Sequence, residues 1–67
     1  MSKEIGKVVE YNGVNGFIVD KENTRYIFTK KDLVSKDVMV NDIVAFEREL
    51  YKTVEVELNL ARFIEKQ

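Results

Sequence analysis

Tyr11-Asn12-Gly13-Val14-Asn15-Gly16-Phe17-Ile18-Val19-Asp20 is the stretch on which the reading of the fold turns. One apolar-alternating run leads into it and a second begins inside it. It carries two of the three glycines. Asn12-Gly13 is the strongest short hairpin signal in the chain, because both residues tolerate the positive φ of a two-residue type I′ turn. Asn15-Gly16 is a second candidate, and the whole Asn12 to Gly16 segment can serve as a longer loop. Phe17-Ile18-Val19 then opens a strand that ends near Lys21.

Before the turn, Ile5 to Tyr11 reads as a first strand. Val8 and Val9 are adjacent and both β-branched, so alternation alone does not settle which set faces inward. Gly6 suits a bend or the close approach of another strand. After Val19, Glu22-Asn23-Thr24 reads as a polar turn and Arg25 to Thr29 as a third strand. There Tyr26 and Phe28 share one face, Ile27 and Thr29 the other, and Phe28 is expected in the core. Lys30 to Val34 suits a single helical turn, with Leu33 plugging one end of the core. Ser35 to Val40 reads as a loop with Val38 and Val40 partly buried.

Ile43 to Leu50 reads as a fourth strand, with Val44, Phe46 and Leu50 on one face. Thr53 to Glu65 is the longest run. Val54, Val56, Leu58, Leu60 and Ile64 recur at every second position, or its multiple, as in a strand with one face on a core. Residues 55–66 also suit a helix by propensity, but the period favours a strand. Phe46 and Phe63 are expected in the core; Tyr51 reads as either exposed or a lid. Five short strands and one helical turn point to a small closed β-barrel, since closure removes the edges of so small an antiparallel sheet.

Composition narrows the function. A chain of 67 residues makes one domain, and such a chain buries only about 60% of the surface it exposes when unfolded. Cys and His are absent. That excludes disulfides, Cys/His zinc sites and His-based catalytic triads. The carboxylates share no catalytic spacing and have no nucleophilic partner. Gly13 and Gly16 do not form a phosphate loop, because no Gly-Lys-Ser/Thr follows. No enzyme, cofactor or metal is expected. No apolar run approaches the roughly 20 residues that span a bilayer, and the polar start resembles no signal peptide. The expectation is a cytoplasmic single-domain protein over residues 1–67.

The net charge of −1 is unevenly spread. Lys21 to Lys36 holds five positive and two negative residues, whereas Glu47 to Glu57 holds four negative and two positive. One end is therefore expected to be basic and another acidic.

The order of features resembles the cold-shock domain family. Gly6-Lys7-Val8, Tyr11-Asn12 and Gly16-Phe17-Ile18 are similar to its opening strand and first ribonucleoprotein motif. Tyr26-Ile27-Phe28-Thr29 with Lys30 and Leu33 looks like the second motif and its helical turn. Asn41-Asp42-Ile43-Val44-Ala45-Phe46 and Leu58-Asn59-Leu60 resemble the fourth strand and the ending. The resemblance implies a five-stranded antiparallel OB-fold (oligonucleotide/oligosaccharide-binding) barrel that binds single-stranded RNA or DNA. Base stacking on aromatics, about 1–3 kcal/mol each, and cation–phosphate contacts supply the affinity.

Tyr11, Phe17 and Tyr26 are the stacking candidates; Lys7, Arg25, Lys30 and Lys31 are the phosphate candidates. Positions that carry ligand-facing aromatics or His in the family fall here on Glu10, Ile27, Thr29 and Lys30, and the first motif is about two residues shorter. These departures imply weaker, more electrostatic binding with little sequence preference. They also motivate an alternative, a barrel that has lost its ligand face and acts as a protein-interaction or homodimerising module.

Overall fold

The computed structural model describes residues 3–67. The loop that follows β1 (Lys3–Tyr11) uses the longer of the possible turns. The Asn12 side-chain oxygen accepts the backbone N–H groups of Val14 and Asn15, both at 2.9 Å, and the Asn12 N–H donates to the Asn15 carbonyl. Gly13 takes the left-handed conformation at φ 91°. The chain then pairs Tyr11 with Gly16 and Glu10 with Phe17 as β2 (Asn15–Asp20) begins. Gly16 therefore does not turn the chain; it lets two strands meet. A Cβ there would collide with the Glu10 carbonyl and come within 2.9 Å of Phe28 Cζ.

A bulge at Val9 settles the ambiguity of the paired valines. Val8 lies opposite Ile18 and Glu10 opposite Phe17, so β1 carries one extra residue. Val8 is fully buried and Val9 faces outward.

Asp20 closes the second turn. Its carboxylate accepts the N–H groups of Glu22 and Thr24 at 2.9 Å and the Tyr26 hydroxyl at 3.0 Å. Those bonds, led by the Thr24 amide, hold its pKa below the ordinary value of 3.8. The Tyr26 phenol is pushed upward, first by burial and then by its bond to Asp20.

β3 (Arg25–Thr29) runs into a 3-10 turn, Lys30–Asp32, and Leu33 follows into the core. The loop beyond it is tied down at both ends. Val34 and Ser35 donate to the Ile64 carbonyl, and Asn41 donates to the Val8 carbonyl. Val38 is buried within this loop, but Val40 is exposed, contrary to expectation.

β4 (Ile43–Lys52) and β5 (Glu57–Lys66) complete a closed barrel in the order β1-β2-β3-β5-β4. Four of its five pairings are antiparallel and one, β3 with β5, is parallel. An odd number of strands cannot alternate direction around a closed ring, so one pairing is parallel; the result is the expected five-stranded, mostly antiparallel OB-like barrel with one helical turn between β3 and β4. Val8, Ile18, Tyr26, Phe28, Leu33, Val38, Val44, Phe46, Ala61 and Ile64 form the core. Tyr26 and Phe46 meet edge to face, 4.8 Å between centroids.

The C-terminal half departs most from the period-two reading. Thr53 to Val56 is a turn, not strand: the Thr53 hydroxyl oxygen accepts the Val56 N–H at 3.0 Å and the Thr53 N–H donates to the Val56 carbonyl at 2.7 Å. Val54 is fully exposed and Leu50 is outward, because both lie on a hairpin that extends past the barrel. In β5 the alternation breaks at Phe63. Glu47 pairs with Arg62 and Ala45 with Glu65, so two residues of β5 face Phe46 alone. Ala61 and Ile64, three apart, are both buried, and Phe63 is 58% exposed at φ 52°. The expectation that Phe63 is core is overturned by this bulge.

Two glycines can be told apart by substitution. Gly13→Ala meets no atom within 4 Å, so it should lose only about 1–2 kcal/mol from the left-handed backbone. Gly16→Ala adds a backbone clash and should lose about 3 kcal/mol or more, seen in a denaturant titration as a much lower midpoint. Asp20→Asn should lower the melting temperature at neutral pH. A depressed carboxylate pKa stabilises above the unfolded-state value, and that contribution is lost as the pH falls through the folded-state value. The gap between the two proteins should therefore narrow as the pH falls past the ordinary value of 3.8 and close only below the lowered folded-state value. A gap that persists there would mean that the Asp20 charge is not what holds the turn.

Candidate nucleic-acid interface

The registers assemble one outward face from β1, β2, β3 and β5. Glu10, Phe17, Ile27 and Leu60 form one row across it. Lys7, Val19 and Arg25 form the row on one side, and Asn15 and Thr29 the row on the other. Phe17 is half-buried between its neighbours. The Arg25 guanidinium lies over its ring, with Cζ 5.1 Å from the centroid. Arg25 is the diagonal cross-strand neighbour of Phe17, which places a long side chain within reach. The pair joins a flat cation to an aromatic face, the combination of a cation–π contact.

The Asn15–Thr29 row leads to a basic cleft. Val14, Thr29, Lys30, Lys31 and Lys36 line about 480 Å³ there. The lysines sit on a braced turn. The Asp32 carboxylate accepts the Thr29 N–H at 2.9 Å and the Thr29 hydroxyl at 3.1 Å, and its other oxygen accepts from Arg62 at 3.0 Å. The Lys30 N–H donates to the Val14 carbonyl at 2.8 Å, which fixes the first turn against the third strand's end. Among the described residues, Lys30, Lys31 and Lys36 make no ion pair, whereas Asp32 is neutralised by Arg62. The cleft thus presents three cations with the nearest carboxylate already engaged.

Of the seven residues expected to bind, five are exposed or half-buried on the outward surface: Phe17, Lys7 and Arg25 on the sheet, Lys30 and Lys31 at the cleft. The other two correct the expectation. Tyr26 is 1% exposed, one of the largest buried side chains, with its hydroxyl on Asp20. It faces inward because it pairs with buried Ile18. Tyr11 pairs with buried Gly16 and packs against the core, its ring 5.4 Å from that of Phe28. Neither shares the face of Phe17.

Arg25 reaches this face through its contact with the Phe17 ring. Val14 and Lys36 were not singled out from the sequence, and no local signal marks them. They reach the cleft only because the turn and the loop fold beside the end of β3.

Among the described residues, no group of three or more carboxylates is placed to hold a metal ion, and no helix is long and apolar enough to cross a membrane. A second outward groove, of about 350 Å³, is lined by Ile5, Val9, Val19 and Ile43 together with Lys7, Asp20 and Lys21. Compared with protein-family models, curated proteins and solved structures, the chain matches none of them.

Proposed function

We propose that the barrel binds single-stranded RNA or DNA through the Phe17–Arg25 pair and the lysine cleft, in the manner of the cold-shock domains that its sequence resembles. The observation that carries this reading is the continuity of one outward surface. It starts at an aromatic with a guanidinium on its ring and ends at three lysines without ion pairs among the described residues. Bases stack on aromatic faces and on guanidinium planes, and lysines track the backbone phosphates. One aromatic and a row that includes Glu10, Ile27 and Leu60 make a narrow platform. Charge then supplies much of the affinity, and base identity little. The role is one of binding, without catalysis.

The groove of Ile5, Val9, Val19 and Ile43 favours a second reading, a protein partner or a homodimer that covers this apolar surface. Val9→Glu with Ile43→Glu then abolishes any concentration-dependent mass seen by sedimentation. A protein that is monomeric at every concentration and recovers no partner counts against this reading.

Titration of a short oligonucleotide at low salt, followed by NMR, tests the first reading. Phe17, Arg25, Lys30, Lys31 and Lys36 should shift, and Tyr26 should not. With three phosphate contacts, the logarithm of the affinity should fall against the logarithm of salt with a slope of about −2. Lys30→Glu with Lys31→Glu should weaken binding at least about 10-fold at low salt. Phe17→Leu keeps an apolar cover but removes the ring, and should cost about 5- to 100-fold. Absence of shifts at high micromolar oligonucleotide would sink the proposal.

A further inference from the structure

Phe63 is held outward by a backbone conformation that bulky residues rarely adopt. At φ 52° it occupies the left-handed region, where Gly and Asn are the ordinary occupants. It sits in the bulge at which two residues of β5 face Phe46 alone. Ile64 takes the inward place and is fully buried, while the Phe63 ring is among the most exposed large apolar groups of the barrel wall. Packing does not account for an aromatic at this position, since Gly would fit the bulge with less strain.

The surroundings of the ring point to a ligand. Phe63 lines a shallow cleft of about 260 Å³ with Lys31, Asp32, Val34 and Arg62. The Asp32 carboxylate is engaged by Thr29 and paired with Arg62, which offsets its charge. Lys31 is the wall shared with the lysine cleft of Val14, Thr29, Lys30 and Lys36. Aromatic, cation and aromatic therefore follow one another: Phe17 on β2, Lys30 and Lys31 on the 3-10 turn, Phe63 on β5.

We propose that Phe63 is a second base-stacking platform, and that a single strand runs from Phe17 across Lys30 and Lys31 to Phe63. This rests on the nucleic-acid reading above and extends it. It makes the site longer than the β1–β3 face alone and predicts that affinity depends on strand length. The bulge is the device that turns the ring outward: in a regular strand with Ala61 inward, position 63 would face inward too, and the extra residue passes that place to Ile64.

Phe63→Gly tests this directly, because it removes the ring and relieves the backbone together. The variant should melt at the wild-type temperature or above it. Its affinity for a nine-nucleotide oligothymidine, within the roughly 4–16-nucleotide sites of such barrels, should fall about 5- to 100-fold. Binding of a three-nucleotide oligothymidine, which has fewer bases to occupy both platforms, should fall less. Phe63→Trp should retain the long-strand affinity. If Phe63→Gly fails to fold, Phe63→Asn replaces it, since Asn also tolerates the left-handed region.

Wild-type affinity for the long strand in Phe63→Gly or Phe63→Asn, while Phe17→Leu loses it, overturns the second platform and leaves the first site standing. No binding of either strand by the wild-type protein overturns both.

Discussion

The contact between Gly16 and the Glu10 carbonyl sets the register from which the other features of the barrel follow. Only a residue without a Cβ lets β1 and β2 cross at that distance. Once Tyr11 is opposite Gly16, the face of every side chain in β2 is fixed, because a one-residue slip reverses them all. Ile18 goes in and Phe17 goes out. The β2–β3 register carries the choice onward, placing Tyr26 opposite Ile18 and Ile27 opposite Phe17. Asp20 then locks the second turn by accepting two amides and the Tyr26 hydroxyl, so the buried phenol and the turn stabilise one another.

Two bulges do the remaining work of closure. A five-stranded sheet must curl sharply to meet itself, and bulges increase local twist. The first, at Val9, lies beside the first turn; the second, at Phe63, lies within the long pairing of β5 with β4, three residues past the Leu60 that pairs with Ile27 of β3. The first keeps Glu10 on the outward face beside Val9, and the second expels Phe63 from the interior. The outward face of this protein is thus partly a by-product of closing so small a ring. Thin cores of this size leave apolar side chains outside, and what matters for function is which charges surround them.

Much of the architecture is legible in the chain. The five strands, the helical turn with Leu33, the polar turn before β3 and the closed barrel all follow from alternation and turn chemistry. What is not legible depends on non-local registry. Nothing local distinguishes Val8 from Val9, and only the pairing with Ile18 decides between them. Phe63 reads as core because Leu60 and Ile64 bracket it; the bulge appears only when β5 is set against β4. The burial of Tyr26 is legible in the sequence, since Tyr26 shares the face of Phe28, which is expected in the core. For the candidate site, Phe17, Arg25, Lys30 and Lys31 are legible because they are local to the turn and its partner strand. Val14 and Lys36 are brought in by the fold of loops whose sequences carry no binding signature.

The distribution of the seven aromatics carries the synthesis one step further. Tyr26, Phe28 and Phe46 fill the barrel, and Tyr11 packs on its end. Three remain outside: Phe17, Phe63 and Tyr51. Tyr51 lies on the extended β4–β5 hairpin, opposite Leu58 and near Glu49 and Glu57. Phe17 and Phe63 instead flank the lysines of the 3-10 turn. Glu49 and Glu57 on the hairpin are paired with Arg62 and Lys52, whereas Lys30, Lys31 and Lys36 make no ion pair among the described residues, so the positive potential is concentrated at the turn. The uneven charge of a nearly neutral chain therefore has a structural expression. It separates two aromatics beside the lysine turn from a third on the ion-paired hairpin.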